Sequence, residues 1–201
     1  MPRKNPAASV AFRVGASIAV SVAVAVGPLV TTGVAVAEPS AARPAVATVE
    51  QEWENTAELK EFKTSDDKGT FYTLNEEEAA AAEGVHGNRP TGEAAGIRMF
   101  TKKVPGSVPL HRLKQLNVSY HTYIVSSYQP EIDALTASDA PRRFVDKGVI
   151  GYVLAEQEEG TMPLYRYAKG TVWRIARDNR QDLLNAGYKK SSGTLGFVPQ
   201  G

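Results

Sequence analysis

The longest run of apolar positions in this chain lies near its beginning. Residues 14–37 contain no charged side chain and are mostly Val and Ala, whereas residues 1–13 contain three basic side chains and no acidic one. A basic start, an apolar stretch and small residues at its end form the pattern of a secretory signal peptide. Because Gly27 and Pro28 interrupt the apolar stretch, the pattern favours cleavage after Ala37 over a membrane-spanning helix.

We therefore predict that residues 1–37 are a signal peptide and that the mature chain is secreted, without membrane association after cleavage. The alternative is an uncleaved N-terminal membrane anchor, with the rest of the chain facing outward. Residues 38–52 are rich in Ala and Pro and lack a large apolar side chain to bury. This composition predicts a flexible spacer.

Beyond the spacer, short β-prone motifs recur along the chain. A motif with Pro-Leu-x-Arg at its centre occurs twice, at residues 107–113 and 161–167. A glycine motif that ends in an aromatic residue occurs three times, at residues 96–100, 148–152 and 193–197. A Gly-Thr motif occurs twice, at residues 69–73 and 170–174. Because these motifs follow one another in the same order, they predict three repeats, at about 53–104, 105–156 and 157–201.

A helix signal follows the Gly-Thr position of each predicted repeat. In the first repeat Asn75 precedes three Glu and four Ala residues, and Gly84 follows them. Asn is a preferred N-cap, acidic residues are favourable in the first turn, and Gly suits the C-terminal end. Pro130 and Asp178 mark the corresponding helix starts in the second and third repeats.

Each predicted repeat therefore contains a strand, a strand, a helix and a strand. Because about 50 residues cannot bury an apolar face on their own, three such repeats are expected to share one core. We predict an α+β domain over residues 53–201, in which three strand-strand-helix-strand repeats close about a pseudo-threefold axis. A β-trefoil-like closure is one form that this arrangement could take.

Composition and charge exclude several classes of function. The chain has 201 residues and no cysteine, which excludes disulfides, cysteine metal sites and thiol nucleophiles. Its net charge of +1 offers no electrostatic basis for binding nucleic acid. The sequence also lacks the serine-hydrolase, zinc-protease, phosphate-loop and dinucleotide motifs. We therefore expect no cofactor, no metal ion and no nucleic-acid partner.

Three stretches, residues 162–166, 183–188 and 195–198, resemble the repeats of a family of secreted bacterial and fungal proteins. Those repeats contain Val-Pro-Leu-Tyr-Arg, Asp-His-Phe-Tyr-Thr, Leu-Leu-x-x-Gly-Tyr and Gly-Ile-Ala-Gly-Tyr-Val in this order. The resemblance covers about residues 57–199 and implies a repeat domain of uncharacterised function that often accompanies secreted hydrolase domains. It carries over no catalytic residue, and residues 69–73 have Gly-Thr where the family has Asp-His.

Aromatic residues at recurring positions are the first candidates for ligand binding. Tyr72, Trp173 and a residue of the middle repeat are expected at matching positions around the shared axis. The spacing allows either Tyr120 or Tyr123 in the middle repeat, and Tyr123 is the candidate that we select. Aromatic rings at these positions either stack on sugar rings or build the shared core.

Arginines at equivalent positions are the second candidates. Arg112 and Arg166 each lie two residues after the Leu of the Pro-Leu motif. They either bind a carboxylate or sugar hydroxyls of a ligand, or pair with an acid of a neighbouring repeat or with a helix C-terminus. His111 occupies the position that Tyr165 has in the next repeat, so we interpret it as a structural residue and not as a metal ligand.

These features predict a secreted, non-catalytic repeat domain that binds an extracellular ligand, best matched by a polysaccharide or cell-wall glycan. One alternative is a small secreted hydrolase with a polar site in the middle repeat, around His121, Asp133 and Arg112. Another is a structural or protein-binding component of the cell envelope. The predicted binding residues of the first hypothesis are Tyr72, Tyr123, Trp173, Arg112 and Arg166.

Overall fold

The computed structural model describes residues 55–200, within which the chain forms eleven strands and three helices. The predicted signal peptide (1–37) and spacer (38–52) lie outside the described residues. In the described part, no helix is both long enough and apolar enough to cross a bilayer.

The elements fall into three consecutive segments. The first segment, residues 56–100, contains β1 (Thr56–Glu58), β2 (Lys60–Lys63), β3 (Thr70–Thr73), α1 (Glu76–Gly84), β4 (Arg89–Pro90) and β5 (Arg98–Phe100). The second segment, residues 107–154, contains β6 (Ser107–Gln115), β7 (Tyr123–Ser126), α2 (Gln129–Thr136) and β8 (Phe144–Leu154). The third segment, residues 161–199, contains β9 (Thr161–Lys169), β10 (Val172–Arg177), α3 (Gln181–Asn185) and β11 (Lys189–Pro199).

One large antiparallel sheet joins the three segments. It contains eight strands in the order β1-β5-β8-β11-β9-β10, with β6 paired to β8 and β7 paired to β6. Strands β2, β3 and β4 form a separate sheet in the order β3-β2-β4. The last strands of consecutive segments pair directly, because Phe100 lies opposite Tyr152 and Leu154 lies opposite Phe197.

The predicted fold class, an α+β domain of three repeats closed about a pseudo-threefold axis, is wrong. The described chain is mostly β, with 45% strand and 15% helix, and its main sheet is a curled antiparallel half-barrel. Residues 144–147 and 189–192, which no predicted motif covers, extend β8 and β11 to eleven residues each. In the first segment β5 has only three residues, so the segments are unequal. The sheet consequently runs from β1 to β10 without joining its ends.

Local sequence explains where α1 begins and ends. The Asn75 side chain accepts a hydrogen bond of 2.9 Å from the backbone N–H of Glu78, which satisfies one of the free donors at the helix start. Three glutamates occupy the first turn, where the helix dipole favours negative charge. The helix ends at Gly84, but Gly84 is its last helical residue and not the residue beyond its end that the pattern predicts, because Val85 is the C-cap.

Of the other two helix starts, that of α2 agrees with the sequence pattern and that of α3 does not. Pro130 lies in the first turn of α2, where its missing N–H costs no helical hydrogen bond. Asp178, however, does not cap α3, because that helix begins three residues later at Gln181. The Asp178 carboxylate instead accepts hydrogen bonds from the backbone of Asn179 and from Lys190, at 2.9 and 2.7 Å.

The central core takes residues from all three segments. Each large apolar side chain buried there contributes about 1.5–3 kcal/mol to folding. A smaller cluster packs beneath each helix, through Ala79 of α1, Ile132 of α2 and Leu183 of α3. The buried members of the central core are Leu59, Tyr72, Ala94, Ile97, Met99, Leu110, Val125, Val153, Leu164, Ile175, Leu195 and Val198.

Candidate functional site

Two clefts of similar construction lie where consecutive segments meet. The first cleft, of about 700 Å³, is bordered by the end of β3, the start of α1, and strands β6 and β8, and its lining includes Thr73, Asn75, Glu77, Glu78, Thr101, Arg112, Lys147 and Val149. The second cleft, of about 630 Å³, is bordered by the end of β7, the start of α2, and strands β9 and β11, and its lining includes Ser126, Ser127, Tyr128, Glu131, Arg166 and residues 191–196.

An arginine–glutamate pair lies at the base of the first cleft. The Arg112 guanidinium donates to both carboxylate oxygens of Glu78, with N–O distances of 2.5 and 3.0 Å. The same guanidinium donates to the backbone carbonyl of Tyr72 at 2.7 Å and lies 4.3 Å from the ring centroid of Phe71. Arg112 is buried, and its Nε has no hydrogen-bond partner among the described residues. This geometry is the strong, two-pronged form of a charge-assisted hydrogen bond.

A matching pair lies in the second cleft. The Arg166 guanidinium donates to both carboxylate oxygens of Glu131 at 2.6 and 3.0 Å, and to the backbone carbonyl of Val125 at 3.0 Å. The Ser126 hydroxyl donates to Glu131 as well, at 2.6 Å. The guanidinium lies 5.4 Å from the ring centroid of Trp173.

The two pairs match because the helix starts and strand registers match. In each cleft the carboxylate belongs to the third residue of a helix, and the accepting carbonyl belongs to the residue six positions earlier. Each arginine also has the same register in its hairpin, with Arg112 opposite Val125 and Arg166 opposite Ile175. Each pair therefore links a strand of one segment to the helix of the preceding segment.

Both glutamates are held in the ionised form. Burial raises the pKa of the Glu78 carboxyl, but the hydrogen bonds and charge of Arg112 outweigh it and hold the pKa below its usual value. The same balance, with Arg166 and Ser126 as donors, lowers the pKa of Glu131. Both guanidiniums are thus engaged by protein carboxylates, and a ligand in either cleft would meet a paired arginine.

Tyr72 lies in the core and not on a ligand-binding surface. Its side chain is 1% exposed, and its hydroxyl donates to Glu61 at 2.6 Å and accepts from the backbone N–H of Ile175 at 2.9 Å. Glu61 in turn pairs with Arg174. Burial and the adjacent Glu61 charge raise the pKa of Tyr72 well above its usual value. The expectation that this ring stacks on a sugar is corrected, because no part of the ring is available to a ligand.

Tyr123 and Trp173 occupy the same register position in their hairpins. Tyr123 lies opposite Lys114, and Trp173 lies opposite Ala168. Tyr123 is half-buried, with its ring at 5.5 Å and nearly perpendicular to that of Phe71. It lines a smaller cavity of about 310 Å³, whereas Trp173 packs against the cluster beneath α2.

The residues of the hydrolase alternative are not gathered into one site. His121 and Arg112 both line the smaller cavity, but Asp133 is not part of its lining. Asp133 is exposed on α2, where it accepts a hydrogen bond of 2.8 Å from Gln129. The His121 ring instead lies near Asp66, with Nδ1 and Oδ2 3.3 Å apart.

His111 also pairs with a carboxylate, since its Nδ1 lies 2.7 Å from Oδ2 of Asp146. Within residues 55–200, no group of three or more His, Asp or Glu side chains is arranged to hold a metal ion.

Sequence reasoning missed Tyr128 and the hydroxyl groups around it. Tyr128 is 65% exposed and lines the second cleft together with Ser127 and the stretch 191–194. The sequence contains a signal for this site. Ser126, Ser127 and Tyr128 directly precede α2, and residues 191–194, which include two Ser and one Thr, lie within β11. Only the folded structure shows that both runs border one cleft, where the Ser127 hydroxyl donates to the carbonyl of Leu195.

The fold and its clefts define a mostly β domain with a cleft at each of the two junctions of consecutive segments. The family described as "Domain of unknown function (DUF5648)" matches residues 61–197, and the chain belongs to this family. The expectation of an uncharacterised family is thereby confirmed. No curated protein and no solved structure matches the chain.

Proposed function

We propose that this chain is a secreted, non-catalytic repeat protein that binds a polysaccharide, with a cell-wall glycan as the best-matched class. The second cleft carries the proposal, because it places the exposed ring of Tyr128 beside several hydroxyl groups and the Arg166–Glu131 pair. A pyranose has an apolar face that covers an aromatic ring, and its hydroxyls bind polar side chains. The second cleft offers both kinds of contact.

The hydroxyl groups of the second cleft can accept hydrogen bonds from a sugar. Ser127 Oγ donates to the carbonyl of Leu195 at 2.5 Å, and Ser191 Oγ donates to the carbonyl of Gly193 at 2.9 Å. A hydroxyl that donates its proton keeps its lone pairs as acceptors. These two bonds also fix the orientation of the hydroxyls, which reduces the entropy lost when a ligand binds.

Four of the five binding residues proposed from the sequence remain part of this proposal. Arg166 lines the second cleft, Arg112 lines the first, and Tyr123 lines the adjoining smaller cavity. Trp173 contributes by packing against Arg166. Because both clefts open at segment junctions, one polymer that reached both would bind with greater avidity than either cleft alone provides.

The matching contacts at the two junctions support an origin by repetition. The orders β6-β7-α2-β8 and β9-β10-α3-β11 are the same, and each arginine contacts the helix before it in the same way. Export is supported by the pattern of residues 1–37. Mass spectrometry of protein recovered from the culture medium tests export, and we expect an N-terminus at Glu38.

Retention on insoluble polysaccharides tests the binding proposal. The purified protein is mixed with cell-wall sacculi, chitin or cellulose, and bound protein is measured after washing. We expect retention on at least one polymer and a loss of about tenfold in affinity for Tyr128→Ala, because stacking on an aromatic ring contributes on the order of 1 kcal/mol or more.

Val85→Ala is the matched control. Val85 is 76% exposed, is apolar and lies in neither cleft, so its removal should leave retention unchanged. Absence of retention on every polymer, or equal retention by Tyr128→Ala and the unaltered protein, would contradict the proposal.

A further inference from the structure

The first cleft and the smaller cavity adjoin each other, because Glu78, Arg112 and Lys147 line both. We call the combined feature the basic groove. Arg112 and Glu78 neutralise each other in its base. The net charge of the groove therefore depends on the other charged side chains that line it.

Lys114 and Lys147 supply positive charge to the basic groove. Lys114 lies opposite Val145 in the β6–β8 pairing, and Lys147 follows Val145 by two residues in β8. The β6–β8 pairing is irregular between His111 and Leu113, next to Lys147, and both lysine side chains line the smaller cavity. Neither lysine forms an ion pair with another residue in the range 55–200.

The lining of the groove contains fewer carboxylates than cations, since Glu77 and Glu78 face Arg112, Lys114 and Lys147. Within the described residues, the carboxylates that line the groove are those of Glu78 and Glu77, both in the first turn of α1. Glu77 lines the first cleft but not the smaller cavity. Asp66 and Asp146 lie outside this lining, and Asp66 accepts a hydrogen bond from the backbone N–H of His121 at 2.5 Å. Asp146 is engaged by His111 and by the backbone N–H of Gly148.

The second cleft has no counterpart to these lysines. Ala168 lies opposite Trp173 in the register position that Lys114 has opposite Tyr123. The charged side chains in the lining of the second cleft are Arg166 and its partner Glu131. The second cleft is consequently neutral, whereas the smaller cavity of the basic groove carries an excess of positive charge.

We infer that the basic groove binds the carboxylate group of an acidic saccharide residue, a uronic acid. Lys114 and Lys147 supply the ammonium groups for the carboxylate, and the half-buried ring of Tyr123 supplies an apolar wall for the sugar. The inference rests on the proposed polysaccharide-binding function and specifies the class of sugar that the first junction selects.

Titration calorimetry with trigalacturonate and its methyl ester tests this inference on the purified protein. The two ligands have the same ring and differ in the charge of the carboxyl group. We expect the acid to bind at least about tenfold more tightly than the ester. The carboxylate of the acid can form charge-assisted hydrogen bonds with the lysines, whereas the uncharged ester cannot. Added salt should reduce the difference, because it screens exposed charges.

Two double variants separate a local effect from a change in net charge. Lys114→Ala/Lys147→Ala should lose the preference for the acid, whereas Lys103→Ala/Lys189→Ala, which removes the same charge outside the groove, should keep it. Near-ultraviolet circular dichroism verifies that both variants are folded. Loss of the preference in both variants would overturn the inference, because net charge would then explain it.

Three further outcomes decide the inference independently of the proposed function. Equal affinity for the acid and the ester overturns it, even if retention on a polysaccharide depends on Tyr128. Equal affinity for trigalacturonate and triglutamate overturns the assignment to a sugar. A preference for the acid that depends on Lys114 and Lys147 supports the inference, even if Tyr128→Ala leaves polysaccharide retention unchanged and the second cleft is not the polymer site.

Discussion

Arg112 in β6 and Glu78 in α1 form a two-pronged ion pair with N–O distances of 2.5 and 3.0 Å. The arginine is 6% exposed, and its guanidinium also satisfies a backbone carbonyl of β3. Because the pair connects the second segment to the hairpin and helix of the first, it stabilises the junction that forms the basic groove. Arg166 and Glu131 do the same at the next junction.

Arg112→Ala should strongly destabilise the protein. The substitution leaves Glu78 and the Tyr72 carbonyl without their donor and removes the cation beside Phe71. Removing one partner of a buried pair costs about 3–5 kcal/mol, and the partial exposure of Glu78 reduces the cost here to about 2–4 kcal/mol. Urea denaturation measures the free energy of unfolding. Lys103→Ala serves as the surface control, and a loss below about 0.5 kcal/mol for Arg112→Ala would show that the pair is dispensable.

Acid should weaken the folded state through Glu78 and Glu131. Their pKa values are lowered in the folded protein, so their contribution to stability is present above the unfolded-state pKa of about 4.3 and is lost as the pH falls through the folded-state values. We expect the free energy of unfolding to fall below about pH 4.3, and to fall less steeply in Glu78→Gln/Glu131→Gln. Denaturation curves between pH 7 and 3 measure both slopes.

Asp66 adds to the acid sensitivity that remains in that double variant. Burial raises the pKa of Asp66, but hydrogen bonds from Thr64 and from the backbone N–H groups of His121 and Lys68 outweigh it and lower the pKa to about 2. Identical pH slopes for the double variant and the unaltered protein would show that the two glutamates do not carry the effect.

Tyr72→Phe should reduce stability without changing ligand binding. The substitution removes the hydroxyl that bridges Glu61 and the backbone N–H of Ile175, and it leaves the buried N–H without a partner. An unsatisfied buried donor costs about 1–3 kcal/mol, which a thermal or urea melt resolves. Tyr120→Phe is the matched control. A reduced affinity for polysaccharide in folded Tyr72→Phe would contradict the assignment of this ring to the core.

Gly196→Ala should be poorly tolerated. Gly196 has a φ of +132°, and a Cβ there would lie 2.4 Å from Cγ2 of Val153 and 2.7 Å from the carbonyl oxygen of Leu154. We expect a loss of at least about 2 kcal/mol from backbone strain and steric overlap. Gly193→Ala is the control, because its Cβ would have no neighbour within 4 Å. Equal stabilities for the two variants would show that β11 shifts away from β8 at no cost.

The fold and the candidate site could be predicted in part. The start of α1 could be predicted because its cap joins Asn75 to Glu78, three residues away. The recurrence of Arg112 and Arg166 was likewise visible as a motif. The second cleft around Tyr128 could not be predicted, because Ser127 and Leu195, which border it, are separated by 68 residues and meet only through the folded sheet.

By itself, the sequence determined the hairpins with their Pro-Leu-x-Arg strands, the cap of α1 and the membership of an uncharacterised family, since each depends on residues close together in the chain. The tertiary structure alone decided that the sheet curls without closing, that Tyr72 is buried and that both arginines are paired. The physical reason is separation along the chain: Arg112 finds Glu78 34 residues away, and Tyr72 finds Ile175 103 residues away. Such contacts form only when the strands of different segments have assembled, and local propensity does not encode them.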